Sequence, residues 1–340
     1  MKSISVIFSG VGYKEFDIYY SVQLVRQLFP GSEIILSSND RTLISHASEL
    51  AIFDKIVVCN DYGELPSLKF SKKATNDIIN NNIKKQIDAS YMGISEASNE
   101  LVLKVRTDQV LLNNKILDLW ESINKIPLMN NSHRGRIITS SIFSINPRYS
   151  ERMPYHLSDM FQFGYKEDLL DYYSVPEYPF EYAIWYETHP YAKHSNRSEL
   201  LFRSKYAVEQ WLLMHYIFRS EDKFPIKYHN DFSEEIIKNF ETIITDYFII
   251  AHPDDIGLRA SKFFSSISYV NNQCYSTYDS LKLLEINNSL DQKLSHRFAP
   301  RGINKTIFKY LWFALDFKII QFFVKNMPNG FKVMIKKKIS

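Results

Sequence analysis

Short apolar runs alternate with helix-spaced segments through the first hundred residues, and this alternation restricts the fold more than any other feature. Residues 4–8 (Ile-Ser-Val-Ile-Phe) read as a buried strand that stops at Ser9-Gly10. Residues 17–29 place Ile18, Val22, Val25 and Phe29 near helical spacing, and Pro30-Gly31 ends that helix. Strands follow at 33–37, 55–58 and 101–105, with helices predicted over 42–50 and 77–97. Strand–helix alternation of this kind builds a mostly parallel sheet covered by helices on both faces. Ligands of such α/β sheets bind beyond the carboxyl ends of the strands. Gly10, Ser37, Asp61 and Asp108 stand at those ends.

The second half is less regular. A strand is expected over 136–145, loop and short helix over 154–171, and a long irregular surface or lid segment over 176–194. An amphipathic helix over 204–218 and a strand over 247–250 complete the reading. Aromatic residues make up 15% of the chain, which disfavours disorder and coiled coil. Cys59 and Cys274 are the only cysteines, too few for a disulfide framework or a cysteine zinc site. The opening residues lead straight into a strand without a cleavage-site pattern, so a cytoplasmic setting is expected.

Charge divides the molecule near residue 300. Residues 301–340 hold nine Lys or Arg against Asp316, a net +8. The whole chain carries +3, which leaves −5 on the body. We therefore expect a globular domain over 1–300, in which any catalytic site would lie, and a basic, aromatic tail over 301–340. In the tail Phe308, Leu311, Trp312, Leu315, Ile319 and Phe322 share one helical face. Lys309, Asp316 and Lys318 interrupt it, and each would cost about 2.5–3.5 kcal/mol at a bilayer centre. The pattern therefore suits a helix lying in an anionic membrane surface. A net positive charge confined to the tail of an acidic body argues against nucleic acid as partner.

Gly10-Val11-Gly12 follows the first strand, but the third glycine of a dinucleotide fingerprint is missing, and no Walker A sequence occurs. Arg106-Thr107-Asp108 is the sharper signal. A carboxylate at the end of a buried strand can hold Mg²⁺ together with substrate phosphate. Arg106 can pair with Asp108 or meet phosphate through its planar fork. Asn82, Lys85 and Gln86, in the segment before that strand, offer amides to a base or ribose and a cation to phosphate.

These segments in this order resemble the WavE family of lipopolysaccharide-synthesis proteins. The likeness runs over roughly residues 4–265 and rests on several short motifs. They are the opening strand with Gly10, the Phe-Pro-Gly-Ser-Glu-Ile-Ile-Leu-Ser run ending at Ser37, and Asn60-Asp61-Tyr62-Gly63. Asn82-Ile83-Lys84-Lys85-Gln86, Gly93-Ile94, Leu103 through Asp108, and His156 through Asp159 with Phe163-Gly164 complete the set. The sequence departs from the pattern at Tyr62, where the family has proline, at Lys84, where it has asparagine, and at Lys85, where it has arginine.

The resemblance implies a GT-A-like glycosyltransferase using a nucleotide-sugar donor. The usual Asp-x-Asp metal motif of such enzymes begins here with Arg106, so one carboxylate is exchanged for a cation. Asp108 remains as a candidate ligand for Mg²⁺ or Mn²⁺. His252, Gly257 and Lys262 resemble a segment that closes over metal and diphosphate in GT-A enzymes, which makes His252 a second candidate ligand. Gly257 would allow close backbone approach, and Lys262 would supply charge. Glu209, followed by Gln210 on a helix, and Asp159 compete for the role of catalytic base. Tyr and Trp residues between 176 and 211 are expected to stack on sugar faces.

The expected protein is thus a glycosyltransferase at the inner face of the cytoplasmic membrane, building a lipid-linked lipopolysaccharide or capsule oligosaccharide. A nucleotidyltransferase of similar fold would show a glycine-rich basic loop after the first strand, which Ser9 to Glu15 lacks. A non-catalytic assembly protein would bind no nucleotide.

Overall fold

The structure, a computed structural model, describes residues 3–70, 81–149, 151–196, 199–290, 294–301, 322 and 326–328. Most of the predicted tail helix therefore lies outside the described residues, as does the segment 71–80.

Seven strands form the main sheet: β1 (Ile4–Ser9), β2 (Glu33–Ser38), β3 (Lys55–Val58), β4 (Leu101–Arg106), β6 (Ile137–Ser140), β7 (Gln162–Tyr165) and β8 (Phe248–Ala251), in the order β3-β2-β1-β4-β7-β6-β8. All neighbours are parallel except β7, which runs antiparallel between β4 and β6. The remaining strands, β5 (Gln109–Leu111) and β9 (Leu258–Ala260), pair as a separate antiparallel ribbon. The expected α/β architecture, a mixed and mostly parallel sheet with helices on both faces, is the one observed.

Strand period two explains the two cores. In β1, Val6 and Phe8 pack with Val22 and Val25 of the Ile18–Leu28 helix, while Ile7 faces the opposite layer. In β4, Leu103 and Val105 join the first layer and Val102 the second. Lys104 shares the strand parity of Val102, so the alternation that buries valine also buries a lysine, which is 1% exposed. The Ile83–Ser95 helix lies on that second face. A Cβ on Gly93 would come 2.6 Å from Ile7 Cγ2 and 2.7 Å from Ser37 Cβ, so glycine sets how closely this helix approaches the sheet.

Register aligns the carboxyl ends. Ser9 pairs with Ser37 of β2 on one side and with Arg106 of β4 on the other. The residues just past these positions therefore open on one side of the sheet.

Several expectations need correction. The helix expected over 77–97 is Ile83–Ser95 among the described residues. The strand expected over 136–145 ends at Ser140, and a turn follows with Phe143 at φ +64°. The segment 154–171 contains β7, because Gln162–Tyr165 fills the gap between β4 and β6. Residues 176–194 are no open lid: they form two short helices, and Tyr178, Ala183 and Tyr186 are buried. The helix Val208–Phe218 is buried almost all round, not on one face. Of the aromatic residues expected to meet sugars there, Tyr178 packs edge-on to Trp211, and Tyr182 edge-on to both Tyr206 and Trp211.

Candidate active site

A cleft of about 500 Å³ opens at the carboxyl ends of β1 and β4. Gly10 forms its floor. With φ +130°, and a Cβ position only 3.1 Å from Thr107 Oγ1, this position requires glycine. Thr107 Oγ1 donates to the Val11 carbonyl at 2.6 Å and so ties the β1 turn to the end of β4. Asn82, Lys85 and Gln86 enter from the first turn of the Ile83–Ser95 helix. Arg106, Glu209 and Lys262 complete the set of predicted residues that the fold gathers here.

Arg106 ends β4 and grips Asp108 through Nε at 2.8 Å and Nη2 at 3.1 Å. Its Nη2 also donates to the Tyr13 hydroxyl at 2.5 Å. Burial raises the Tyr13 pKa, and the Arg106 cation opposes that rise. The Lys85 ammonium lies 2.8 Å from Asp61 at the rim; Asp61 itself is exposed and does not line the cleft. Lys262 is an exposed residue that lines the cleft wall. The surrounding cleft walls, then the nearby Arg106 cation, lower its pKa below the ordinary lysine value.

The two candidate bases differ in setting. Glu209, on the first turn of the Val208–Phe218 helix, faces the cleft, with its Oε2 3.4 Å from His156 Nε2. Asp159 is 1% exposed and behind the wall, where Gln86 Nε2 donates to its carboxylate and Lys104 Nζ to its carbonyl. Gln210, the neighbour of Glu209, is a structural tie: its amide donates to the carbonyls of Pro154 at 2.8 Å and His229 at 2.9 Å.

The predicted metal ligands have other engagements. Asp108 is 2% exposed, with both oxygens held by Arg106 and Ser261 Oγ 3.4 Å from Oδ2. His252 is 1% exposed and caps the Pro253–Ile256 helix: Nδ1 accepts from the Asp254 N–H at 3.3 Å, and Nε2 meets Asn271 Oδ1 at 2.9 Å. Gly257 ends that helix at φ +69°, packed on the Asn113 amide, and its role is to turn the chain into β9. Among the described residues no three His, Cys, Asp or Glu converge as a metal site.

Three groups escaped the list of sequence candidates. Lys104 lines the cleft from a buried strand, and burial brings its pKa down to about 8. A charged residue inside an apolar strand was the available signal. Asn81 is 7% exposed and lines the cleft; its Oδ1 accepts from the Ile83 N–H, while Nδ2 has no partner among the described residues. Tyr13 belongs to the turn after β1, where only glycines drew attention.

No curated protein matches the sequence. Among solved structures the chain is similar to the apo form of glycosyltransferase GlyE of Streptococcus pneumoniae TIGR4, at 12% identity and TM-score 0.31 over 66% of this chain and 44% of that one. It is similar to glucosyl-3-phosphoglycerate synthase of Mycobacterium tuberculosis, at 12% identity and TM-score 0.32 over 76% and 82%. It is also similar to TarS of S. aureus, at 13% identity and TM-score 0.31 over 86% and 44%. The matches thus span under half the length of the GlyE and TarS chains. Residues 11–321 match the family model for WavE lipopolysaccharide synthesis, and the chain belongs to that family.

Proposed function

We propose that this protein is a glycosyltransferase that moves a sugar from a nucleotide-sugar to a hydroxyl of a growing lipopolysaccharide or capsule oligosaccharide. The observation that carries this reading is the content of the cleft. Cationic and amide donors from β4 and the Ile83–Ser95 helix face the same cavity as the carboxylate of Glu209. Phosphate oxygens need the former and an acceptor hydroxyl needs the latter. Asp61 and Asn82 at the rim offer polar groups to ribose or base.

In a direct displacement, Glu209 accepts the proton of the attacking hydroxyl while the acceptor oxygen bonds to the anomeric carbon. The bond from that carbon to the diphosphate breaks, and its electron pair stays on the departing phosphate oxygen. Fixed positive charge aimed at that oxygen is the main electrostatic task of the protein. His156 Nε2 lies 3.4 Å from the Glu209 carboxylate. A thermal-shift panel of UDP, GDP, CDP and CMP tests the reading: stabilisation by at least one nucleotide supports transfer chemistry, and stabilisation by none contradicts it.

We further propose that the tail brings the enzyme to an anionic membrane surface, where a lipid-linked acceptor resides. No helix among the described residues is long and apolar enough to cross a membrane. Lys336, Lys337 and Lys338 would add about 1 kcal/mol each near anionic lipid. Arg301 pairs with Asp255 at 3.2 Å and with Asp254 at 3.6 Å, so it belongs with the catalytic body. The test is deletion of 302–340 followed by co-sedimentation with anionic vesicles. The full chain should pellet at low salt and release as salt rises, while the truncated chain stays in solution. A full chain that ignores such vesicles contradicts the proposal.

A further inference from the structure

Mg²⁺ and Mn²⁺ are held by oxygen ligands with free lone pairs, usually carboxylates together with substrate phosphate. The two ligands predicted from the sequence do not fit that requirement, and neither lines the cleft. Asp108 spends both oxygens on one guanidinium, and His252 has both ring nitrogens engaged. A guanidinium fixed in front of the only carboxylate of the motif would also repel an arriving dication.

The same pairing leaves Arg106 well prepared for an anion. Its Nε and Nη2 are taken by Asp108 and Tyr13, while Nη1 has no acceptor among the described residues. Asp108 thereby acts as a positioning residue, fixing the plane of the fork. Other donors around the cleft are equally unspent. The Lys262 ammonium has no hydrogen bond or ion pair among the described residues, and the one hydrogen bond of Lys104 Nζ among them goes to the Asp159 carbonyl, with the Tyr173 ring 5.4 Å away. Asn81 Nδ2 is a buried donor with no acceptor among the described residues, at the N-terminus of the 13-residue Ile83–Ser95 helix. A buried donor without a partner is costly, and a bound ligand oxygen relieves that cost. A helix N-terminus favours negative charge in the same place.

We propose that the nucleotide diphosphate is neutralised by Arg106, Lys262 and Lys104, with Asn81 donating alongside, and that this cleft takes up no divalent cation. The inference rests on the transferase reading and goes further, since it assigns the charge on the departing phosphate to side chains of this chain. As the anomeric carbon–oxygen bond breaks, the extra negative charge develops on an oxygen facing fixed cations.

Calorimetric titration of UDP, GDP and CDP into the full-length chain tests it, once with excess EDTA and once with Mn²⁺. A nucleotide that binds should do so within about twofold in both buffers. Arg106→Met and Lys262→Met should each weaken that binding by about 10- to 100-fold, the loss expected for a charge-assisted contact. Lys262 is solvent-exposed, so its variant keeps the test decisive where Arg106→Met does not fold. Binding that needs Mn²⁺ overturns this inference and leaves the transferase reading standing. Unchanged affinity in Lys262→Met likewise contradicts the assignment. Binding of no nucleotide in either buffer overturns the transferase reading and this inference with it.

Discussion

The guanidinium of Arg106 holds both carboxylate oxygens of Asp108, Nε to Oδ1 at 2.8 Å and Nη2 to Oδ2 at 3.1 Å, across the turn that leaves β4. Asp108 is 2% exposed and the Arg106 side chain 17%. The pair is therefore a planar fork at the edge of the cleft, largely shielded from water, in which the acid serves the base.

Removing one member of such a pair leaves an uncompensated charge. Asp108→Ala should destabilise the protein by about 3 kcal/mol in chemical denaturation, the low end for a broken buried pair. It should also weaken nucleotide binding, because Arg106 loses its orientation. Asp108→Asn, which keeps one acceptor oxygen, should lose less of both. An Asp108→Ala variant as stable as the parent would contradict this account of the pair.

Glu209→Gln should lower turnover by about 10²–10⁴, the usual worth of a positioned base, with nucleotide affinity unchanged. Asp159→Asn should behave differently, since its carboxylate accepts from Gln86 behind the cleft wall. Its effect should appear as a lowered melting temperature. If Asp159→Asn abolishes turnover at full stability and Glu209→Gln does not, the two roles must be exchanged.

Lys104 gives the binding a pH dependence of known sign. Burial lowers its pKa from the ordinary lysine value to about 8, so the ammonium is charged below that pH and neutral above it. An anionic ligand prefers the charged form. Nucleotide affinity should therefore be full at pH 7 and fall as pH rises through 8 and beyond, and Lys104→Met should flatten the profile. Titrations at pH 7 and pH 9 check this; equal affinities in the parent protein would contradict it.

Gly93→Ala should destabilise the fold by about 1–3 kcal/mol, the cost of overpacking a close contact. The added methyl would meet Ile7 Cγ2 at 2.6 Å and Ser37 Cβ at 2.7 Å. The displaced helix carries Asn82, Lys85 and Gln86, so nucleotide affinity should fall as well. Denaturant unfolding with a parallel binding titration checks both effects.

Much of this was legible in the residues because parallel strands buried on both faces appear as continuous apolar runs. β1, β2 and β4 begin and end within a residue or so of where those runs do, as does the less buried edge strand β3. Strand β7 was not legible. Gln162-Phe163-Gly164-Tyr165 has no strand pattern of its own, and its pairing is dictated by β4 and β6. The 176–194 segment misled for a related reason: its prolines and aromatics look exposed, yet Tyr178 and Tyr186 are buried by partners distant in sequence. Within the cleft, charges at strand ends were readable. Lys104 and Asn81 were harder, since burial beside a cavity and the lack of a partner are facts of three-dimensional packing. The engagement of Asp108 by Arg106 needed coordinates, because the same two residues in sequence also fit a metal ligand beside a phosphate-binding arginine.

The most direct measurement is release of free nucleotide from a panel of nucleotide-sugars by the full-length chain, with lipid-linked oligosaccharide precursor as acceptor. The account predicts release from at least one donor that requires the acceptor, persists in EDTA, and falls by at least about 10²-fold in Glu209→Gln. Absence of acceptor-dependent release from every donor, by protein that is folded and membrane-bound, would contradict it.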